Sequence, residues 1–438
     1  PTTDPISDLN PTKIPLADRI LQVETHGSDS RSVLEQLWQL ERSRTAEFAD
    51  YLGLSATTIE RDLLLVQIQD TLRQIEVDPG RKAAMIYVTV TEEALELLLV
   101  SAHEPPRRYS IAEAKREHLF PVVSRLFDYI TAVSFRNTNA YLNPSQQLYE
   151  WIFSPLAEDL ERLEINTLLL SLDAGLRSVP MAALHDGDRF LIEQYSLSLI
   201  PSFSLANLEY SPRSDSDILA MGASEFRDRR PLPAVPTELS LIQQSAKNSI
   251  TFLNEDFTIE NFARQQQERN FEIVHFATHA DFTPGTPDSS FIQLWNDRLN
   301  LQQLPQLNLN NPPANLLVLS ACRTALGDRE AELGFGGLAV RSGARSALAS
   351  LWNVSDEGTL VLMGEFYHRL MGNNFILKSE ALQQAQIAVL RGDVRLENGQ
   401  LITGNGAIDL PPEIVSLGNQ RLHHPYYWSG FTIVGSPW

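Results

Sequence analysis

The chain is poor in residues that several kinds of chemistry require. It has one cysteine, Cys322, among 438 residues. An intramolecular disulfide is therefore excluded, and a zinc site built on thiolates lacks its ligands. No apolar run reaches the roughly 18–20 residues that span a bilayer. The first residues, Pro1-Thr2-Thr3-Asp4-Pro5, have no basic stretch followed by an apolar core. Neither a membrane span nor a secretory leader is expected, and a reducing, cytoplasmic setting is. Positive charge is also short. Basic side chains number 35 against 55 acidic ones, for a net charge of -20. Phosphate backbones and anionic membranes need clustered Lys and Arg, so nucleic acid and membrane are not expected partners. A basic peptide would be attracted instead.

What remains is ordinary for a folded chain: 43 % hydrophobic and 21 % charged residues. The length predicts two or three packed units. Residues 1–27 are polar and rich in proline and read as a tail. Leu34, Leu37 and Leu40 share a helical face that runs to Thr45, and Thr57-Thr58-Ile59-Glu60 is a capping box ahead of a second helix. That helix sets Leu63, Leu64, Ile68 and Leu72 toward one face. From Ala84 the pattern turns strand-like at 85–90 and 95–100, then helical through Ile130 and over 148–163. Apolar runs at 167–172 and 195–200 follow. Residues 211–216 have linker composition. A second alternation follows, with apolar runs at 218–222, 250–253, 273–277, 316–319 and 346–351. Helical patterns start near Thr237, Thr258 and Leu360, and residues 427–434 read as a last strand. Strands separated by helices predict a mostly parallel sheet covered on both faces.

In such sheets reactive residues gather just past the C-terminal ends of strands. Ile273-Val274-His275-Phe276-Ala277-Thr278-His279 sets His279 after one apolar run, and Leu316-Leu317-Val318-Leu319-Ser320-Ala321-Cys322 sets Cys322 after another. They lie 43 residues apart (322 − 279), room for one crossover between neighbouring strands. Thiolate is the effective nucleophile, yet a free cysteine, with a pKa near ~8.5, is mostly protonated at neutral pH. An adjacent imidazole can take that proton and return it to a leaving amine. The amides of Ala280 and Cys322 could hold the oxyanion if the loops turn there, each worth ~3–4 kcal/mol. Against this, a lone cysteine is usually a small buried hydrophobe, and the strand-end contexts leave the two readings about even.

Other signals carry less. His275 and His279 have the spacing of a zinc helix, but their context is strand-like and the catalytic Glu is missing. Gly334-Phe335-Gly336-Gly337 lacks the Lys-Ser/Thr of a nucleotide loop and reads as an active-site loop or tight turn. His423-His424 has no companions at ligand spacing. The dyad mechanism needs no metal or cofactor.

The surrounding sequence narrows the choice. Phe276-Ala277-Thr278-His279, Leu319-Ser320-Ala321-Cys322-Arg323-Thr324-Ala325, Gly334-Phe335-Gly336-Gly337-Leu338, Gly343-Ala344-Arg345-Ser346, Leu351-Trp352-Asn353-Val354-Ser355-Asp356 and His424-Pro425-Tyr426-Tyr427-Trp428-Ser429-Gly430-Phe431 occur in that order. Together they resemble the CHAT family, caspase-like peptidases often attached to tetratricopeptide repeats. The resemblance runs from about Ala84 to Trp438, and residues 148–202 look like the family's upstream half. It implies an α/β fold with a caspase-like, mostly parallel sheet sandwiched by helices. Residues 1–80 would form a tail and helices, 81–210 a non-catalytic half and 211–438 the catalytic half.

By this resemblance His279 is the general base and Cys322 the nucleophile of a cysteine endopeptidase. Ala280 stands where the family usually has Gly, and Arg323 where an acidic or amide residue is usual. Ser350-Leu351-Trp352 follows a run whose edge would pair with extended substrate. Residues 352–356 are similar to a segment of separase, a related protease that cuts after Arg, which assigns Asp356 to the S1 pocket. Asp281 and Glu357 compete for that role, and capping of a helix near Thr359 is the alternative for Asp356. The implied partners are a protein substrate with Arg or Lys at P1 and a regulatory protein reaching the N-terminal helices. The rival reading is a catalytically silent or latent caspase-like scaffold.

Overall fold

Short apolar runs bury both faces of a strand, and amphipathic stretches bury one face of a helix, so this alternation folds as helices laid on both sides of a sheet. The computed structural model describes residues 30–55, 59–210, 217–324, 328–372, 376–403, 406–415 and 422–438. The expected tail, residues 57–58 of the capping box and the linker at 211–216 lie outside the described residues.

Two helices lead, α1 (Ser30–Leu52) and α2 (Arg61–Gln74). α1 continues past Thr45 because Phe48, Ala49 and Leu52 prolong its buried face. α2 buries Leu64, Ile68 and Leu72, whereas Leu63, expected with them, is 48 % exposed. Next come β1 (Ala83–Val90), β2 (Leu95–Ser101) and β3 (Arg107–Ile111), an antiparallel set. Helices α3 (Arg116–Thr131), α4 (Leu142–Ile152) and α5 (Ala157–Arg162) lead to β4 (Thr167–Leu172) and β5 (Ser196–Leu199). β4 is buried throughout and runs parallel to both β1 and β5.

The second series holds β6 (Ile218–Gly222), α6 (Val235–Ser245), β7 (Ser249–Leu253), α7 (Ile259–Glu268) and β8 (Ile273–Phe282). A hairpin of β9 (Phe291–Gln293) and β10 (Arg298–Asn300) precedes β11 (Leu316–Thr324), α8 (Arg329–Gly336), α9 (Leu338–Ser342) and β12 (Ser346–Ser350). After α10 (Asp356–Leu370) and α11 (Lys378–Arg391) comes a small antiparallel sheet of β13 (Arg395–Glu397), β14 (Gln400–Thr403) and β15 (Gly406–Asp409). α12 (Pro412–Val415), α13 (Pro425–Trp428) and β16 (Phe431–Gly435) follow. The strand expected from Tyr427 therefore starts at Phe431. Pro425 opens a helical turn there, its missing N–H being one a helix start leaves unpaired anyway.

Among the described residues both series share one thirteen-stranded sheet. Its strands run β7-β6-β8-β11-β12-β16-β5-β4-β1-β2-β3, with the β9–β10 hairpin on the far end of β8. The seam between the two expected halves is β16 against β5, paired at Val434↔Leu199. Ser198 Oγ donates to the Gly435 carbonyl across it at 2.6 Å. α11 covers the seam. Gln386 Nε2 donates to the carbonyls of Trp428 (2.9 Å) and Phe431 (3.0 Å), and Gln383 donates to Ile192 O (2.8 Å). One buried cluster contains Leu170 and Leu199 together with Leu348 and Ile433.

α1 is docked. Its buried Glu41 accepts from Tyr87 Oη (3.0 Å), Ser202 Oγ (2.8 Å) and the Ser204 amide (2.8 Å). Arg44 donates to Asp173 (2.8 Å) and Val88 O (3.0 Å). Glu47 pairs with Arg177 and, at 2.8 Å, with Arg329 of α8. The Gly334–Gly337 run is then no active-site loop. It forms the end of α8 beneath α1, where a Cβ on Gly337 would come within 2.7 Å of the Leu52 side chain. Among the described residues no helix is long and apolar enough to cross a membrane.

Candidate active site

β8 and β11 are parallel neighbours. Their register runs from Leu316↔Ile273 to Leu319↔Phe276, shifts at Ser320, and resumes as Ala321↔His279, Cys322↔Ala280, Arg323↔Asp281 and Thr324↔Phe282. Ala277 and Thr278 together thus face Ser320 alone, a bulge of the kind that re-aims a strand next to a site. His279 and Cys322 stand on adjacent strands, one register position apart. The turn expected at the oxyanion amides is absent, since the two strands remain paired past Ala280 and Cys322. Ala280 also pairs with Ile292 of β9, is buried, and does not adopt positive φ, so its strand conformation needs no glycine.

β6 pairs with β8 only as far as Gly222↔Ala277. The chain then leaves the sheet as the 223–234 loop, which lies against His279. The imidazole is half-buried, with its ring centroid 4.7 Å from that of Phe226. Its Nε2 lies 2.9 Å from the Arg230 carbonyl. A carbonyl can only accept, so Nε2 carries the proton and Nδ1 keeps its lone pair. Burial holds the ring below the usual histidine range; the Arg230 carbonyl opposes this, and Arg229 adds to it. The result is a neutral imidazole whose Nδ1 has no hydrogen-bond partner among the described residues, the state a general base needs. Asp281 forms an ion pair with Arg229 at 2.6 Å, and the guanidinium rests 5.1 Å from the Phe291 ring centroid.

Asp356 is the first residue of α10. Ser355 caps that helix, its Oγ accepting from the Gly358 amide at 3.1 Å, so the alternative role for Asp356 falls to its neighbour. Asp356 instead reaches another helix. Its Oδ2 accepts from the Ala234 amide at 2.7 Å, at the entry of α6. Burial pushes its carboxyl up to about 7; the Ala234 N–H opposes this, and Glu238 and Glu357 add to it. Among the described residues no basic side chain acts on it.

His275 is separate from this site. It is buried, with Nδ1 3.0 Å from Tyr367 Oη and Nε2 3.0 Å from Glu238 Oε1. Ser350 is fully buried in β12 and paired with Phe431. Trp352 is 4 % exposed, its Nε1 donates to Tyr426 O at 3.2 Å, and a Cβ on Gly430 would come within 2.9 Å of its ring. Both residues expected to line a substrate groove are therefore buried in the fold. Nδ1 of His424 accepts from the Tyr426 amide at 3.2 Å, capping α13. The Arg230 carbonyl and the Ala234 amide are the groups sequence reasoning missed. Leu232-Pro233-Ala234-Val235-Pro236 marks a fixed helix entry, but backbone groups carry no side-chain signature.

A mostly parallel sheet between helices, with a histidine and a cysteine on adjacent strands, defines a caspase-like α/β protein. The CHAT domain matches residues 142–436, and the chain belongs to that family. The match starts later than the resemblance from Ala84, leaving β1–β3 and α3 outside it. No curated protein matches the chain in sequence. Among solved structures it is similar to a Saccharomyces cerevisiae separase–securin complex at 3.0 Å resolution, with a TM-score of 0.56 and 11 % identity over 95 % of this chain and 34 % of that one. A second separase–securin structure, at 2.6 Å, gives a TM-score of 0.50 and 11 % identity over 96 % and 35 %. The Arg-specific cysteine proteinase gingipain R follows, at 0.42 and 10 % identity over 74 % and 75 %. The chain thus spans about a third of the separase chains it matches.

Proposed function

We propose that this chain is a cysteine endopeptidase that cleaves a protein substrate after Arg or Lys. The observation that carries the reading is the state of His279, whose Nε2–H is held by the Arg230 carbonyl while Nδ1 has no partner among the described residues. Nδ1 would take the thiol proton of Cys322, and the thiolate would attack the scissile carbonyl. The Ala280 and Cys322 amides would hold the oxyanion once the paired strands part. The imidazolium then protonates the leaving amine, and water hydrolyses the thioester with the same base. Asp356 would receive the P1 side chain, since a guanidinium or ammonium supplies the cation its carboxyl lacks, and a guanidinium can bind in two places at once. The likeness of residues 352–356 to separase supports the basic P1. The net charge of -20 favours basic substrates, and a reducing cytoplasm would keep the thiol active.

One observation favours a second reading, that of a latent enzyme or silent scaffold. The strands stay paired at Cys322↔Ala280, and the register partner of His279 is Ala321. A regulatory partner would then act through α1, which packs on the helix that follows Cys322. The test is cleavage of a diverse peptide library by the wild-type chain beside Cys322→Ala. Cleavage after Arg or Lys that is lost in the variant supports the enzyme. Absence of cleavage by both, with a thiol that resists iodoacetamide, supports the scaffold.

A further inference from the structure

One short piece of backbone ties the general base to the acid assigned to S1. The Arg230 carbonyl accepts from His279 Nε2 at 2.9 Å, and four residues later the Ala234 amide donates to Asp356 Oδ2 at 2.7 Å. The piece has little freedom to absorb a displacement. Leu232 and Ala234 are buried, and the Leu232 amide donates to Ser224 O at 2.8 Å. Pro233 has a fixed φ, and Arg229, just before the piece, is held by Asp281 at 2.6 Å.

Resting on the protease reading above, we propose that Asp356 is a positioning residue for His279 as well as the acceptor of the P1 cation, the two roles joined through the segment from Arg230 to Ala234. The direction of the carbonyl fixes the plane of the imidazole and hence where Nδ1 points. The Ala234–Asp356 bond holds the segment that carries this carbonyl. A P1 Arg or Lys that ionises Asp356 strengthens its bond to the Ala234 N–H, because hydrogen bonds to charged acceptors are the stronger ones. The correct substrate thereby tightens the base that acts on it. A neutral P1 residue loses turnover as well as binding, which is how recognition away from the scissile bond contributes to rate.

The test compares Asp356→Asn, which keeps an oxygen for the Ala234 amide, with Asp356→Ala, which does not. Two readouts are independent of P1. The first is the ring-nitrogen NMR signature of His279 in 15N-histidine-labelled whole chain, assigned with His279→Gln. The second is the rate at which iodoacetamide alkylates Cys322, followed against pH. The Asn variant should keep the Nε2–H signature and the alkylation profile while losing selectivity for Arg. The Ala variant should lose the signature, and its alkylation at neutral pH should fall by roughly tenfold, a modest part of the ~10²–10⁴ that a positioned base contributes. Ala234→Pro removes the amide hydrogen with the carboxylate intact, and should reproduce the Ala result even if Asp356→Ala fails to fold. A His279 signature unchanged in both the Ala and Pro variants overturns the positioning role. A wild-type chain that cleaves nothing, yet shows the Asn–Ala difference at the ring, sinks the protease reading and leaves the linkage standing.

Discussion

Asp356 is the residue whose replacement should make this protein more stable. Its carboxyl moves from 3.8 in the open chain to about 7 in the fold, chiefly because it is buried. Folding therefore takes up a proton between those two pH values. The sign is opposite to that of an aspartate held by a cation. Stability is unaffected by this group below about pH 4, falls as pH rises through the window, and levels off above about pH 7. Each pH unit of the gap is worth about 1.4 kcal/mol, so the ionised carboxylate costs up to ~4 kcal/mol at pH 8. Asparagine keeps the acceptor for the Ala234 amide and carries no charge. Asp356→Asn should thus raise the unfolding free energy by roughly 2–4 kcal/mol at pH 8 and leave it unchanged at pH 4. Urea midpoints followed by tryptophan fluorescence from pH 4 to 8 would read this directly. A gain independent of pH, or a variant less stable than wild type at pH 8, would refute the reasoning. An uncharged-backbone arginine amide added in excess should stabilise the wild type and not the variant, since only the wild type offers its guanidinium an anion.

Two further outcomes follow from the same geometry. His279→Gln should slow iodoacetamide alkylation of Cys322 at pH 7 by about tenfold, because the thiolate fraction falls toward that of a free cysteine; with one thiol in the chain, intact mass reads the adduct, and an unchanged rate would place the thiol out of the imidazole's reach. Trp352→Phe removes the Nε1–H bond to Tyr426 O and should cost about 1 kcal/mol of stability without altering P1 preference. A changed P1 preference would show that the indole touches substrate.

The strands that frame the site were the legible ones. β8 and β11 open as buried apolar runs at 273–274 and 316–319, and a strand buried on both faces has little choice of composition. β3 escaped notice because Arg107-Arg108-Tyr109-Ser110-Ile111 lies at the sheet margin, where one side is wet. The hairpin of β13 and β14 carries a local sequence sign. Asn398-Gly399 sits between the two strands, both residues at positive φ, the pair that a two-residue hairpin turn prefers. Asp356 does stand at a helix start, but its partner, the Ala234 amide just before α6, lies 122 residues away. No local pattern encodes a contact of that kind. The buried state of Trp352 likewise depends on Gly430, whose missing side chain gives the ring its space.

The position of β16 between β12 and β5 has a consequence for synthesis. Residues 431–435 are made after all the other strands of the sheet that the structure describes, and 232 residues after Leu199 of β5 (431 − 199). At about 5–20 residues per second the ribosome needs on the order of ten seconds or more to cover that distance. Through that interval β5 lacks a neighbour, as β12 does for its last 81 residues (431 − 350), and an unpaired strand edge invites pairing with other chains. A nascent chain would therefore be a client for chaperones that shield strand edges.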